Sequence, residues 1–317
     1  MRFCLMIEGQ EGPTWQQWLD LAAACERLGF EALFSSDHYY SVMDAPGRGS
    51  HDAWTLLAGL AARTEHLRLG TLVSPVTFRL PTVLAKVATT VDQISAGRVE
   101  LGMGAGWWEE EHRTHGFPFP PAGQRMEMLA EQLQIVHGLF SEDPFTFQGR
   151  HYQLERCTFL HKPVQHPHPP IIVGGTGGPL MASLVARWAD EFNTVGGTPD
   201  EVRTRFERVR QAVTDRGRDQ SEVVTSFMTW FYVGEDEAAF RANVERARAR
   251  DPKAGDFDAY LAELQRDCIT GTPERAAERL SEYAAAGVQR VMLNHELYED
   301  VGALELLAEE VFPRVEG

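Results

Sequence analysis

Short, almost unbroken apolar runs alternate along this chain with longer stretches in which apolar residues recur at helical spacing. RFCLMIEG predicts a buried strand. TWQQWLDLAAACERLGF predicts a helix, with Trp15, Trp18, Ala22 and Cys25 at helical spacing and Gly29 suited to its C-terminal cap. EALFSSDH is the second strand, and a loop rich in Gly, Pro and Asp separates it from the helix HDAWTLLAGLAARTE. LRLGTLVSP is strand three. PTVLAKVATTVDQISAG is its helix, with Pro81 in the first turn and Gly97 just past the end. RVELGMGAG is strand four. PAGQRMEMLAEQLQIVHGLF is a helix striped by Met126, Leu129, Leu133 and Val136, and FTFQGRHYQLERCTFL alternates about Gln148-Gly149 as a hairpin. The alternation resumes with PPIIVGG, GPLMASLVARWA, DEFNTVG, PDEVRTRFERVRQAVTDRG and EVVTSFMTWFYVG. Two helical stretches, 235–250 and 257–266, precede the helix GTPERAAERLSEYAAAG, the strand VQRVMLNH and the last helix DVGALELLAEEVF.

Eight strands, each followed by helix, predict parallel βαβ units. The chain of 317 residues exceeds the roughly 250 typical of the eightfold case. The expected fold class is therefore α/β, a (β/α)8 TIM barrel with insertions after strands four and seven, forming one domain over 1–317. An open doubly wound sheet is the runner-up.

Composition narrows the partners. Hydrophobic residues make up 43% and charged residues 24%, a globular balance, and the formal net charge is -16. A surface this acidic repels nucleic acid and anionic lipid, leaving a small molecule as the expected partner. The four cysteines are scattered and form no CxxC, so a reducing cytoplasm is expected. MRFCLMIEGQEG meets acidic residues too early for a secretory leader, and no apolar run is long enough to span a bilayer.

In a barrel of this kind, chemistry sits where strands end and loops begin. The second strand ends in Ser35, Ser36, Asp37, His38, Tyr39 and Tyr40. His38 is the candidate for proton transfer, because imidazole titrates near neutral pH, and Asp37 could set its tautomer. A histidine that merely ends a strand is the bland alternative. IIVGGTGGPLMASL joins a strand, a glycine loop and a helix start, the composition of a phosphate seat, though no Gly-Lys-Ser/Thr follows. Gly102, Gly104 and Gly106 fall short of a dinucleotide fingerprint; small residues there could let a flat ring lie against the backbone. Glu109 and His112, and the trio His161, His166 and His168, lack the partners that a metal site needs. Glu109 to Glu111 read as a solvated helix start.

Taken together, SSDHYY, LGTLVSPVTFRLPTVLAK, DQISAGRVELGMGAGWWEEEHRTHGFPFPP and IIVGGTGGPLMASLVARWADEFN resemble the luciferase-like flavin superfamily. More narrowly, they are similar to its branch that uses the deazaflavin coenzyme F420. The resemblance runs over about 2–313. It implies a barrel holding the ring at its C-terminal mouth, with Asp37 and His38 beside the reactive edge. It implies a non-prolyl cis peptide at Leu72-Val73 behind the ring. Gly177 and Gly178, with Gly175 and Thr176 adjacent, would hold the coenzyme's phosphate, and Ala105, Gly106 and Trp107 would line the ring's other approaches. The implied activity is hydride transfer between F420 and a small organic substrate. The alternatives are an FMN-dependent monooxygenase and a non-catalytic flavin-binding barrel. The resemblance also leaves room for a homodimer, since relatives are often dimers, and the apolar helix after strand three could serve as the contact. Two departures argue against a sugar phosphate. The branch's sugar-phosphate dehydrogenases carry a tryptophan near the place of Val42 and an acid where this chain has Trp107. An aromatic mouth of Tyr39, Tyr40, Trp107, Trp108 and Trp230 would suit a flatter, more apolar substrate, unless some of these rings pack the insertions.

Overall fold

The apolar runs are unbroken because their strands are buried on both faces. In β1 (Arg2–Ile7), Cys4 and Met6 point into the barrel interior, while Leu5 and Ile7 pack outward under the helices. The computed structural model describes residues 1–316 except Asp44 and Pro46, so that part of the Gly-, Pro- and Asp-rich loop lies outside the described residues. After β1 come β2 (Ala32–Ser35), β3 (Arg68–Thr71), β4 (Ser74–Pro75), β5 (Val99–Gly104), β6 (Phe145–Gln148) and β7 (Gln153–Cys157). They are followed by β8 (Ile171–Gly174), β9 (Glu191–Val195), β10 (Val224–Val233), β11 (Ile269–Gly271) and β12 (Arg290–Asn294). The ring β12-β1-β2-β3-β5-β8-β9-β10 closes on itself through the β10–β9 and β10–β12 pairs, all parallel. This is the (β/α)8 barrel expected from the sequence.

The helices are α1 (Trp15–Leu28), α2 (Ala53–Ala61), α3 (Pro81–Ile94), α4 (Glu109–His115), α5 (Ala122–Ser141) and α6 (Pro179–Trp188). They continue with α7 (Pro199–Asp215), α8 (Glu237–Arg248), α9 (Phe257–Asp267), α10 (Pro273–Ala285) and α11 (Gly302–Leu306). The insertion after β5 carries α4 and the antiparallel β6–β7 hairpin; the one after β10 carries α8, α9 and β11, which extends the edge of β10. Among the described residues no helix is long and apolar enough to cross a membrane.

Strand three departs from its expected form. LRLGTLVSP is not one strand: the ladder breaks at Leu72-Val73, whose peptide bond is cis, and resumes as β4 against β5. Neighbouring glycines make room for this ridge. A Cβ on Gly102 would lie 1.9 Å from the Thr71 carbonyl oxygen, and one on Gly104 would lie 2.6 Å from the Val73 side chain. Those glycines therefore accommodate the ridge itself, which corrects the idea that they leave a flat bed for a ring.

Candidate active site

The strand ends gather at one mouth. A cavity of ≈ 600 Å³ opens there, of the size that takes a small ligand or cofactor. Its wall includes His38, Leu72, Val73, Ala105, Gly106, Trp107, Gly175 and Thr176. Asp37, Gly177 and Gly178 stand outside that wall.

His38 is held by a residue the sequence did not single out. Its Nδ1–H donates to Glu111 Oε2 at 2.9 Å, and the other oxygen of Glu111 accepts from the backbone N–H groups of Tyr39 (2.5 Å) and Tyr40 (3.3 Å). Glu111 is 1% exposed, so the EEE run is not a solvated helix start throughout. Gly106, with φ of 74°, turns the chain out of β5, and α4 then lays Glu111 against the end of β2. Burial alone would lower the His38 pKa, but the hydrogen bond and charge of Glu111 outweigh it, aided by Glu8 and Asp37. The net effect is a pKa above the ordinary imidazole value. With Nδ1 committed, Nε2 is the nitrogen left to the cavity.

Asp37 does not set the His38 tautomer. Its Oδ2 accepts from Ser74 Oγ at 2.6 Å and from Arg79 Nη1 at 2.5 Å, and Arg79 also reaches Asp52 at 2.7 Å. Burial raises the Asp37 pKa more than Arg79 and Ser74 lower it. Asp52 caps α2 by accepting from Thr55 N, so this chain of bonds ties β2, the ridge and α2 together.

The aromatic mouth divides. Trp107, 62% exposed, and Trp230 line the cavity. Tyr39 packs on Phe78 and Phe117, and Tyr40 on Trp108, so these rings secure the insertion rather than face a ligand. His112 is buried between Thr77 Oγ1 (2.6 Å) and the Trp108 carbonyl (2.6 Å), and His168 lies 2.9 Å from the Pro169 carbonyl. Among the described residues no group of three or more His, Cys, Asp or Glu is placed to hold a metal.

The glycine loop runs along the cavity through Gly174, Gly175 and Thr176, then turns away at Gly177, whose φ is 69°. Gly178 is the N-cap of α6. Arg208 Nη1 of α7 donates to the Gly177 carbonyl at 3.0 Å, and Arg205 packs against the same residue.

The fold is a (β/α)8 barrel with a ligand-sized cavity at its mouth, and the proteins it matches make oxidoreductase its broad class. The chain belongs to the luciferase-like monooxygenase family, whose profile matches residues 1–290. It is similar to an F420-dependent glucose-6-phosphate dehydrogenase of Microbacterium testaceum, at 28% identity over 326 residues covering 96% of this chain and 94% of that protein. It is also similar to an FMNH(2)-dependent dimethylsulfone monooxygenase of Pseudomonas putida, at 27% identity over 86% of this chain and 80% of that protein. The coenzyme F420-dependent tetrahydromethanopterin reductase of Methanopyrus kandleri shares the fold, with a TM-score of 0.84 at 20% identity over 99% of both chains.

Proposed function

We propose that the protein transfers hydride between coenzyme F420 and a small organic substrate, with His38 moving the accompanying proton. The observation that carries this reading is the single cavity whose wall includes His38, the Leu72–Val73 ridge, Ala105 to Trp107 and the start of the glycine loop. The likeness to F420-dependent dehydrogenases supports the cofactor.

The residues present fit such a group. The cavity suits a flat ring, with Leu72 and Val73 behind it. The start of α6 beside Gly177 and Gly178, with Arg208 of α7 bonded to the loop, suits a phosphate. When bound, the deazaflavin would supply hydride exchange at its C5. The protein's part is orientation and proton handling. Glu111 fixes the His38 ring through Nδ1, so Nε2 gives or takes the proton at the substrate atom next to the carbon that exchanges hydride. Asp37 acts at one remove, by holding Ser74 beside the ridge.

Fluorescence titration of the purified chain with F420 and with FMN tests the reading. F420 is expected to bind at least about tenfold more tightly; tighter binding of FMN would overturn it. A second reading, oxygen activation with reduced FMN, is favoured by the dimethylsulfone monooxygenase likeness. Oxygen uptake that depends on reduced FMN would establish it instead. We carry forward the homodimer as well: Val83 and Ile94 of α3 stand 47% and 45% exposed, and sedimentation would show whether two copies associate.

A further inference from the structure

The cavity is chemically uneven. Beyond His38, the part of its wall built from the ends of β1, β10 and β12 carries Glu8, Trp230, His295 and Glu296. Glu8 accepts from Gln10 Nε2 at 2.7 Å and from Asn294 Nδ2 at 3.2 Å. Glu296 accepts from the Tyr232 hydroxyl at 2.7 Å.

His295 adds an acceptor of another kind. It is 2% exposed, and its Nε2 lies 2.9 Å from the Asp300 carbonyl oxygen. A carbonyl only accepts, so Nε2 carries the proton. Burial pushes the His295 pKa down to about 4, so the ring is neutral at neutral pH. Its Nδ1 is therefore a bare lone pair, and among the described residues it has no partner.

Two arginines of the same wall, Arg48 and Arg250, are each paired with a carboxylate. Arg48 donates to Glu11 at 2.5 Å and to the Arg250 carbonyl at 2.6 Å. Arg250 pairs with Glu299 at 2.9 Å and lies over the Tyr298 ring. Burial, with Glu8 and Asp251 adding and Tyr232 and Arg250 opposing, pushes Glu296 up to about 7.

We infer that this end of the cavity receives a hydrogen-bond-donating group of the substrate, a hydroxyl or an amine, and rejects phosphates and carboxylates. The inference rests on the catalytic reading above and names its substrate class. A hydroxyl or ammonium can donate to His295 Nδ1 and to Glu296 while its apolar body lies on Trp230. An anion would face two carboxylates and a lone pair, while the two arginines of the wall already serve Glu11 and Glu299. The substrate class therefore differs from the sugar phosphate for which the Microbacterium relative is named.

Size-matched probes test this on the full chain, with and without F420: benzylamine, benzyl alcohol, benzoate and phenyl phosphate, followed by tryptophan fluorescence at about pH 8, where Glu296 is ionised. The two donor probes are expected to bind at least about tenfold more tightly than the two anions. Glu296→Gln is expected to weaken benzylamine about tenfold and benzyl alcohol less than about threefold. Glu8→Gln serves as the second variant should the first fold poorly, with the same direction of effect. Anions that bind as tightly as the donors, donor probes that fail to bind at about 20 mM, or a benzylamine affinity untouched by either variant would overturn the inference. Titration with F420 separates the two readings. A chain that ranks the probes as stated but binds no F420 removes the catalytic reading alone. One that binds F420 and prefers the anions removes this inference alone.

Discussion

Buried charge occurs at both ends of this barrel, and only one end is open. At the floor, Arg290 of β12 donates to Glu100 at 2.6 and 2.9 Å, to Glu191 at 2.9 Å and to Glu31 at 2.9 Å, while Arg68 adds a third bond to Glu100. Burial would raise the Glu100 pKa, but Arg290 and Arg68 outweigh it and hold that carboxyl low. At the mouth, His38 and Glu111 make an equally close pair, yet His38 keeps one nitrogen facing a cavity. Burial and perturbed acidity are common to both clusters. What separates a fastening from a candidate working site is access: Glu191 Oε1 at the floor is unpartnered but sealed in, whereas His38 lines a cavity.

The comparison breaks most sharply at Arg290. Arg290→Met leaves Glu191 buried without a cation and Glu100 with Arg68 alone, and the expected loss of stability is about 3–5 kcal/mol by urea unfolding. A variant that unfolds at the wild-type midpoint would mean that the floor is not a fastening. His38→Ala should do the opposite. With F420 loaded and a substrate in hand, turnover should fall about 10²–10³-fold, while cofactor affinity changes little and stability falls by no more than the about 2 kcal/mol of the His38–Glu111 bond.

Glu111→Gln sharpens the mouth. Without the carboxylate, burial dominates and the His38 pKa should drop below its ordinary value, carrying the corresponding limb of the pH–rate profile toward acid. The sign for stability follows from the raised pKa in the folded protein. The His38–Glu111 increment, about 2 kcal/mol, is fully present below about pH 6.5 and is lost as the pH rises through the folded value. Unfolding of the variant and the wild type at pH values on either side of that window checks it. Asp37→Asn should have the smallest effect. Arg79 keeps Asp52, so the cost is about 1 kcal/mol in urea unfolding, with the pH profile of turnover nearly unmoved. A large shift of that profile would return Asp37 to direct contact with the chemistry.

The barrel was legible because its strands and helices carry different hydrophobic periods. Leu5 and Met6 are both buried, on opposite faces, whereas Leu129, Leu133 and Val136 bury one stripe of α5. The break at Leu72-Val73 was legible only through family resemblance, since apolar patterning does not distinguish Leu72 within a ridge from Leu72 within a strand. β11 was not predicted: its three residues are ordered by the edge of β10, which no local pattern reports. At the mouth, His38 was visible as the titratable group that ends an apolar run. Glu111 was hidden among Glu109 and Glu110, which have the same chemistry and differ from it only in where α4 comes to rest. The helical turn of about 100° per residue lets only part of such a run face the barrel, and the flanking Trp107 and Trp108 were the available sign that it does. Arg79, the partner of Asp37, lies beyond the strand end in the loop leading to α3, and reading strand ends alone passed over it.

The most direct measurement is a ¹⁵N–¹H NMR titration of the His38 imidazole, assigned with His38→Ala, as F420 is added to the full chain. The His38 Nε2 signal is expected to shift progressively and to saturate at about one equivalent, with the Nδ1 proton still bonded to Glu111. Saturating F420 binding that leaves His38 unmoved, or a shift produced by FMN and not by F420, would contradict this expectation.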